Sequence, residues 1–128
     1  MNIDQIRDEL ARRAGWEFDG NSSKYRWWKF DVLLLPSGKP SGLMGRKWSV
    51  HPMPPTLDGA AAALPDGWFP WERRKGPQGL FWEAIHPQWR GGLNPHMCVR
   101  VPDHGRGHEM EDLYALALAC VRAEEAKR

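Results

Sequence analysis

The prolines between residues 51 and 73 constrain the fold more than any other feature of this sequence. The stretch reads HPMPPTLDGAAAALPDGWFPWER, and it is too interrupted to form one continuous helix or strand. Its first three prolines favour extended conformations in the residues that precede them. Thr56 is then a natural N-cap for a short helix over about residues 57–64, and Pro65 ends that helix. We therefore interpret the stretch as packed scaffold with a kinked entrance.

The short helix has a single apolar face made mostly of alanine. Its apolar residues follow the i, i+3, i+4, i+7 spacing of one helix face, which predicts that this face lies close against the sheet: Leu57, Ala60, Ala61 and Leu64. After the turn PDG, the segment WFPWERR is predicted to be extended. Pro70 lacks a ladder donor and favours an edge strand or a bulge there.

Longer amphipathic helices are predicted at the two ends of the chain. In NIDQIRDELARRAG, Asn2 is a candidate N-cap and Gly15 a candidate αL C-cap. HEMEDLYALALACVRAEEAKR carries acidic residues early and basic residues late, as a helix macrodipole favours. The predicted buried stripes are Ile3, Ile6, Leu10 and Ala14 in the first helix, and Met110, Leu113, Ala117 and Cys120 or Val121 in the last.

Alternating side chains predict the strands. GLFWEAIHP and PHMCVRVP have period-two patterns and, with WFPWERR, favour an antiparallel meander of about three strands. Residues 17–50 are predicted to hold a strand near 25–35, a Gly/Pro/Ser-rich loop and a short strand near 47–50. We expect a single α+β domain over residues 1–128, with a small antiparallel sheet of three to five strands. Packed with that sheet we expect an N-terminal helix, a short Ala-rich helix and a long C-terminal helix.

Composition narrows the classes of partner. The net charge is +2 and the basic residues are scattered among acids, so the sequence does not predict a nucleic-acid partner. No apolar stretch approaches the length of a membrane span, and the amino terminus does not resemble a signal peptide, so we expect a cytoplasmic protein with no membrane partner. Cys98 and Cys120 are expected to be buried free thiols.

Four segments together resemble a known family. They are the helix ending in AGW, the proline-led PPTLDGAAAAL, the two tryptophan-bearing strands and the carboxy-terminal LYALALACVRAEEA. From about residue 2 to residue 125 the chain resembles the phage ABA sandwich domain, a family of small phage and prophage proteins. It departs from that pattern at residues 17–50, where the insertion is longer, and in the prolines before the short helix. The resemblance implies a small α+β layer fold and a phage origin, and it brings no catalytic residues with it.

Metal and catalytic chemistry have weak signals here. The residues His96, Cys98, His104 and His108 have spacings that partly match a zinc site, but no second Cys pair accompanies them. We therefore predict no metal and no cofactor. No nucleophile elbow, P-loop or Rossmann glycine pattern is present, and pairs such as His108 with Glu111 or Asp112 arise by chance in a chain of this composition. The sequence favours a protein that is not an enzyme.

Binding has the stronger signal, because eight tryptophans are more than a core of this size needs. SKYRWWKF, LMGRKWSVHP and HPQWRGG each place cations beside aromatic rings, a combination that stacks on rings while neutralising phosphates. Trp27 and Trp28 are expected to point to opposite faces of a strand and to pack. The predicted ligand-binding residues are Arg46, Lys47, Trp48, Trp89 and Arg90.

These residues lead to a functional expectation. The first hypothesis is a non-enzymatic phage or prophage accessory protein in the host cytoplasm that binds and sequesters a small nucleotide-derived host defence signal. Such a protein is expected to be a compact homo-oligomer with a deep concave pocket. A second hypothesis is a direct inhibitor of a host protein, with a flat or convex aromatic patch as its interface. A third is a small metal-dependent hydrolase, which requires clustered histidines and acids.

Overall fold

The computed structural model describes residues 2–20, 26–68, 71–86 and 98–126. Three helices and six strands lie in these ranges, and the predicted α+β class with its three helices is confirmed. The helices are α1 (Ile3–Arg13), α2 (Leu57–Ala63) and α3 (Glu109–Ala126). The strands are β1 (Glu17–Phe18), β2 (Trp27–Leu34), β3 (Pro40–Ser49), β4 (Trp71–Gly76), β5 (Gly79–Ile85) and β6 (Cys98–Pro102).

The strands form two antiparallel three-stranded sheets, ordered β1-β2-β3 and β4-β5-β6. The chain divides accordingly into two compact units, one of residues 8–52 and one containing the rest of the described residues. The single-domain expectation stays a prediction. None of the described helices is both long enough and apolar enough to cross a membrane.

Helix α3 supplies most of the core of the larger unit. It packs against β5, β6 and α2, and its predicted stripe is confirmed at Leu113, Ala117 and Cys120. The buried surface of α3 is wider than the predicted stripe, because Tyr114, Leu116 and Leu118 are buried as well. The buried thiol of Cys120 is free, and desolvation raises its pKa to about 12.

Helix α2 begins as the sequence predicts. The hydroxyl of Thr56 accepts a hydrogen bond from the Gly59 N–H at 2.9 Å, and the helix ends before Pro65. Its packing differs from the prediction, because α2 lies against α3, where Ala60 is fully buried. The prediction that Leu57 belongs to the buried face is wrong, since its side chain is 53% exposed.

The end of helix α1 shows a similar shift of the buried stripe. Gly15 has φ +93° and closes the helix as predicted, and Asn2 caps its start by accepting from the Gln5 N–H at 2.9 Å. The helix ends at Arg13, so Ala14 lies in the following turn and is exposed. Ala11 is fully buried in its place.

The smaller unit is built on a long hairpin. The predicted strand near residues 25–35 is confirmed as β2, but the predicted loop and short strand near 47–50 are replaced by the ten-residue strand β3. A tight turn over residues 36–39 joins the two strands, with Gly38 at φ +85°. The glycine, proline and serine residues that predicted a loop therefore lie in this turn and within β3 itself.

Candidate functional site

One face of the hairpin carries the exposed aromatic side chains of Phe30 and Trp48. The antiparallel register pairs Trp28 with Trp48, Phe30 with Arg46 and Val32 with Met44. Successive side chains of a strand point to opposite faces, so these even-numbered residues share one face. We call it the β2–β3 face, defined by Trp28, Phe30, Val32, Met44, Arg46 and Trp48.

Trp28 is the centre of this face. Its ring meets Phe30 edge-on, with ring centroids 5.3 Å apart, and lies 6.4 Å from the ring of Trp48. The guanidinium carbon of Arg46 stacks over the Trp28 ring, 4.5 Å from its centroid. Aromatic pairs and cation–π contacts at such distances are favourable and orient the side chains. The four side chains therefore form one ordered cluster.

The β2–β3 face is open to solvent. Phe30 and Met44 are each 62% exposed, and Val32 and Trp48 are each 40% exposed. Contiguous apolar surface of this kind on a small protein marks a binding surface, whereas single scattered apolar residues do not. Trp48 is therefore not part of the core.

Arg46 differs from the arginines of the other sheet in its electrostatic surroundings. Among the residues that the structure describes, no carboxylate forms an ion pair with Arg46. On the β4–β6 sheet, by contrast, Arg74 and Arg100 both pair with buried Glu83, at Nε–Oε distances of 3.2 Å and 2.6 Å. The charge of Arg46 is therefore not neutralised within the described chain.

The opposite face of the same hairpin is used for packing near its base. Trp27 is buried, lying beneath the Arg12 guanidinium at 5.5 Å and beside His51 with ring centroids 5.0 Å apart. His51 in turn is held by Asp8, with 2.9 Å between Nε2 and Oδ1. The expectation that Trp27 packs is confirmed. Trp28 lies on the other face as predicted, but instead of packing in the core it is half-buried in the β2–β3 face.

The predicted site residues do not all lie together. Arg46 and Trp48 share the β2–β3 face, while Lys47 between them lies on the opposite face, where its Nζ is 3.9 Å from Asp31. Trp89 and Arg90 lie outside the described residues. The structure therefore brings two of the five predicted residues together.

Phe30, Val32 and Met44 were not predicted as site residues. The signal that could have identified them is the turn PSGK between two apolar runs, LLL and LMG, because such a turn implies a hairpin. Once the hairpin is recognised, its register places these residues beside Arg46 and Trp48. Because this segment was predicted to be a loop, its pairing with β2 was not predicted.

Three of the four candidate metal residues lie in the described part of the chain, and each of these three has another contact. The Cys98 Sγ lies 3.7 Å from a Glu83 oxygen, the His104 Nδ1 lies 2.5 Å from Asp112, and the His108 Nδ1 lies 3.4 Å from Glu111. Among the described residues, no group of three or more His, Cys, Asp or Glu side chains could hold a metal ion. His96 lies outside the described residues. Burial, together with the nearby Glu83 charge, raises the pKa of Cys98.

His104 and Asp112 form a clamp on the loop that leads into α3. The buried Asp112 carboxylate accepts from the His104 backbone N–H at 2.9 Å and also contacts the imidazole. The hydrogen bond to Asp112 raises the pKa of His104, with smaller contributions from the charges of Asp112, Asp103 and Glu111. Both carboxylate oxygens of Asp112 contact His104, one at the backbone N–H and one at the imidazole. We therefore interpret the pair as an anchor that holds this loop against α3.

A surface depression of about 470 Å³ lies at the β4–β5 turn, lined by residues 76–81 and 100–102. Its one cation is Arg100, which stacks on Phe81 at 5.0 Å and pairs with Glu83. Its lining includes none of the predicted site residues. The β2–β3 face therefore has the better combination of exposed rings and available charge.

No protein-family model, curated protein or solved structure matches this chain. The interaction surface proposed below is therefore argued from the geometry of the described residues.

Proposed function

We propose that this chain is a non-enzymatic binding protein that engages a partner protein through the β2–β3 face. The observation that carries the proposal is the ordered and exposed cluster of Phe30, Arg46 and Trp48 around Trp28. Tryptophan and arginine are enriched among residues that contribute most to protein interfaces. The cluster is pre-ordered by its own stacking contacts, so less side-chain entropy is lost when a partner binds.

The open shape of the face favours a protein over a small molecule. Small-molecule sites are concave and bury most of the ligand surface. The β2–β3 face lies on a sheet surface, and its outer residues Phe30 and Met44 are each more than half exposed. A nucleotide stacked there would be covered on one side only. The first hypothesis from the sequence was that the protein sequesters a nucleotide-derived signal. We keep it as the alternative that the experiment below distinguishes from protein binding.

The biological setting of the proposal comes from the resemblance to the phage ABA sandwich domain. On that basis we place the protein in a phage or prophage, acting on a host protein in the host cytoplasm. An inhibitor of this kind needs a complementary surface and no catalytic residues, which is consistent with the engagement of Cys98, His104 and His108 in other contacts.

Affinity capture with matched variants tests the proposal. The tagged chain is compared with Phe30→Ser, Arg46→Glu and the control Leu80→Ser, which removes a side chain that is 49% exposed on β5. We expect a protein that the wild type and Leu80→Ser enrich from extracts of expressing cells to fall about tenfold or more in the two face variants, the size of a hot-spot loss. Quantitative proteomics measures the enrichment.

Native mass spectrometry of the same preparations provides the contrasting outcome. A retained nucleotide-sized mass that is present in the wild type and lost in Arg46→Glu would replace the protein-binding proposal with the nucleotide alternative. Equal protein enrichment by all four chains would also contradict the proposal, because binding would then not involve the β2–β3 face.

A further inference from the structure

Strand β3 is an edge strand. The sheet order β1-β2-β3 leaves one side of β3 without a neighbouring strand, and among the described residues only β2 shares backbone hydrogen bonds with it. It is ten residues long, and its single proline is its first residue. Its pairing with β2 is regular from Met44 to Ser49, beyond a register irregularity between Val32 and Leu34. The regular part of this exposed edge offers a row of N–H and C=O groups to another extended chain.

The register shows which backbone groups point to the open edge. The Asp19 N–H bonds the Arg26 carbonyl at 2.6 Å, which extends the β1–β2 pairing of Glu17 with Trp28 by two residues on each strand. Hydrogen-bonded and non-hydrogen-bonded pairs alternate along an antiparallel ladder, so the backbone of Trp28 points towards β1. The neighbouring odd-numbered residues of β2, such as Lys29, then point towards β3.

The same alternation applies to β3. Lys29 pairs with Lys47, so the odd-numbered residues of β3 bond β2. The N–H and C=O groups of Met44, Arg46 and Trp48 therefore point to the open edge. These are also the β3 residues whose side chains form the β2–β3 face, so a strand added at this edge would extend that face directly.

Charge indicates the chemistry of the added strand. Residues 27–50 contain four basic residues, Lys29, Lys39, Arg46 and Lys47, and one acidic residue, Asp31, giving the hairpin a net charge of +3. Arg46 makes no ion pair with a described carboxylate. A second copy of the hairpin would bring two such charges together, and like-charge juxtaposition disfavours that pairing. An acidic strand has the complementary charge.

We propose that the partner protein binds by adding an extended, acidic strand to the open edge of β3. Backbone hydrogen bonds to Met44, Arg46 and Trp48 hold this strand, and its alternate side chains lie on the β2–β3 face. Acidic side chains there meet the Arg46 guanidinium, and apolar side chains meet Met44 and Trp48. This inference rests on the proposed function and specifies its partner.

Synthetic peptides of defined composition test the inference. One fluorescein-labelled ten-residue peptide alternates glutamate with valine and phenylalanine, and a second peptide has lysine at every glutamate position. We expect fluorescence anisotropy with the full chain to show the acidic peptide binding about tenfold or more tightly than the basic one, with the difference decreasing as salt rises. Absence of binding by the acidic peptide, or equal binding of both peptides, would overturn the inference.

Met44→Pro and Met44→Ala form a matched pair for the edge itself. Both variants lack the Met44 side chain, but only proline lacks the outward N–H, and an edge strand tolerates proline at such a position. Met44→Pro is expected to bind the acidic peptide about tenfold more weakly than Met44→Ala. The proline removes the backbone hydrogen bond to the peptide, and its ring prevents the peptide backbone from approaching β3 closely. Equal affinities would contradict strand addition.

Amide hydrogen exchange on the wild type covers the case in which Met44→Pro does not fold, as judged by circular dichroism. The acidic peptide is expected to slow exchange at Met44, Arg46 and Trp48, while the inward amides of Gly45 and Lys47 change little because β2 already protects them. Unchanged exchange at the outward amides would overturn strand addition. If peptide binding still depended on Phe30 and Arg46 in that case, the proposed function would stand without this binding mode.

Discussion

At the residue scale, neighbouring side chains give Arg46 and Arg100 different roles. Both stack on an aromatic ring, Arg46 on Trp28 at 4.5 Å and Arg100 on Phe81 at 5.0 Å. Arg100 also pairs with buried Glu83, which raises the pKa of Arg100 through a hydrogen bond and neutralises its charge inside the fold. Arg46, by contrast, stacks on the Trp28 ring and forms no ion pair with a described carboxylate. Its charge is therefore available to a partner.

A pH-dependent contribution to stability is expected from His104. Asp112 raises the pKa of His104 above its ordinary value of 6.5. A histidine whose pKa is raised by folding stabilises the fold fully below the unfolded pKa and loses that contribution as pH rises through the folded pKa. The free energy of unfolding should therefore differ most between wild type and His104→Gln below about pH 6.5, and the difference should shrink at higher pH.

Urea unfolding from about pH 5 to about pH 9 measures this difference. His108→Gln is the matched control, since His108 is exposed and its contact with Glu111 at 3.4 Å is long. A difference between wild type and His104→Gln that grew with pH, or stayed constant, would contradict the assigned role of Asp112.

At the element scale, the helices could be predicted from the sequence because their signals are local. Thr56, Asn2 and Gly15 act in capping interactions within a few residues of their own positions. The partner of α2 could not be predicted, because the apolar spacing of a helix shows which face is buried but not what covers it. Leu57 had the right spacing and lies at the uncovered edge of that face.

Strand β3 shows the opposite difficulty. Its sequence PSGLMGRKWS contains residues that are depleted from strands, so local propensity predicted a loop. Pairing with β2 overrides that propensity over most of the length of the hairpin. The site on the β2–β3 face depends on this pairing, which explains why Arg46 and Trp48 were predicted as site residues from their local sequence while Phe30 and Met44 were not.

A prediction at the element scale concerns the close approach of α2 to its neighbours. A Cβ atom on Gly59 would lie 2.6 Å from the Pro54 carbonyl oxygen and 3.0 Å from the Tyr114 hydroxyl. Tyr114 donates a hydrogen bond to that same carbonyl, so neither atom can move without loss. Gly59→Ala should lower the free energy of unfolding by about 1–3 kcal/mol through overpacking, although alanine usually favours a helix.

Thermal and urea unfolding monitored by circular dichroism measure this effect. The control is Ala62→Gly, at an exposed position of the same helix, which should cost only about 0.5–1 kcal/mol through backbone entropy. Stabilisation of the protein by Gly59→Ala would show that the segment before α2 is not held against Tyr114 as described.

At the scale of the whole molecule, average properties conceal the features that suggest function. The net charge of the chain is +2, yet residues 27–50 alone carry +3. Among the tryptophans that the structure describes, Trp27 and Trp68 are buried, whereas Trp48 is exposed on the β2–β3 face. Composition indicates a high content of aromatic residues, and only the register of one hairpin shows where Trp48 and its neighbours meet.

Site-specific photocross-linking in expressing cells tests the central claim most directly. The photoreactive residue p-benzoylphenylalanine replaces Phe30 on the β2–β3 face or, as the control, Leu80 on β5, since both side chains are about half exposed or more. We predict a discrete cross-linked protein adduct from position 30, identified by mass spectrometry, that is lost when Arg46→Glu is added to the same chain. Position 80 should not give this adduct. The same adduct from both positions, or an adduct from position 30 that persists with Arg46→Glu, would contradict a protein partner held on the β2–β3 face.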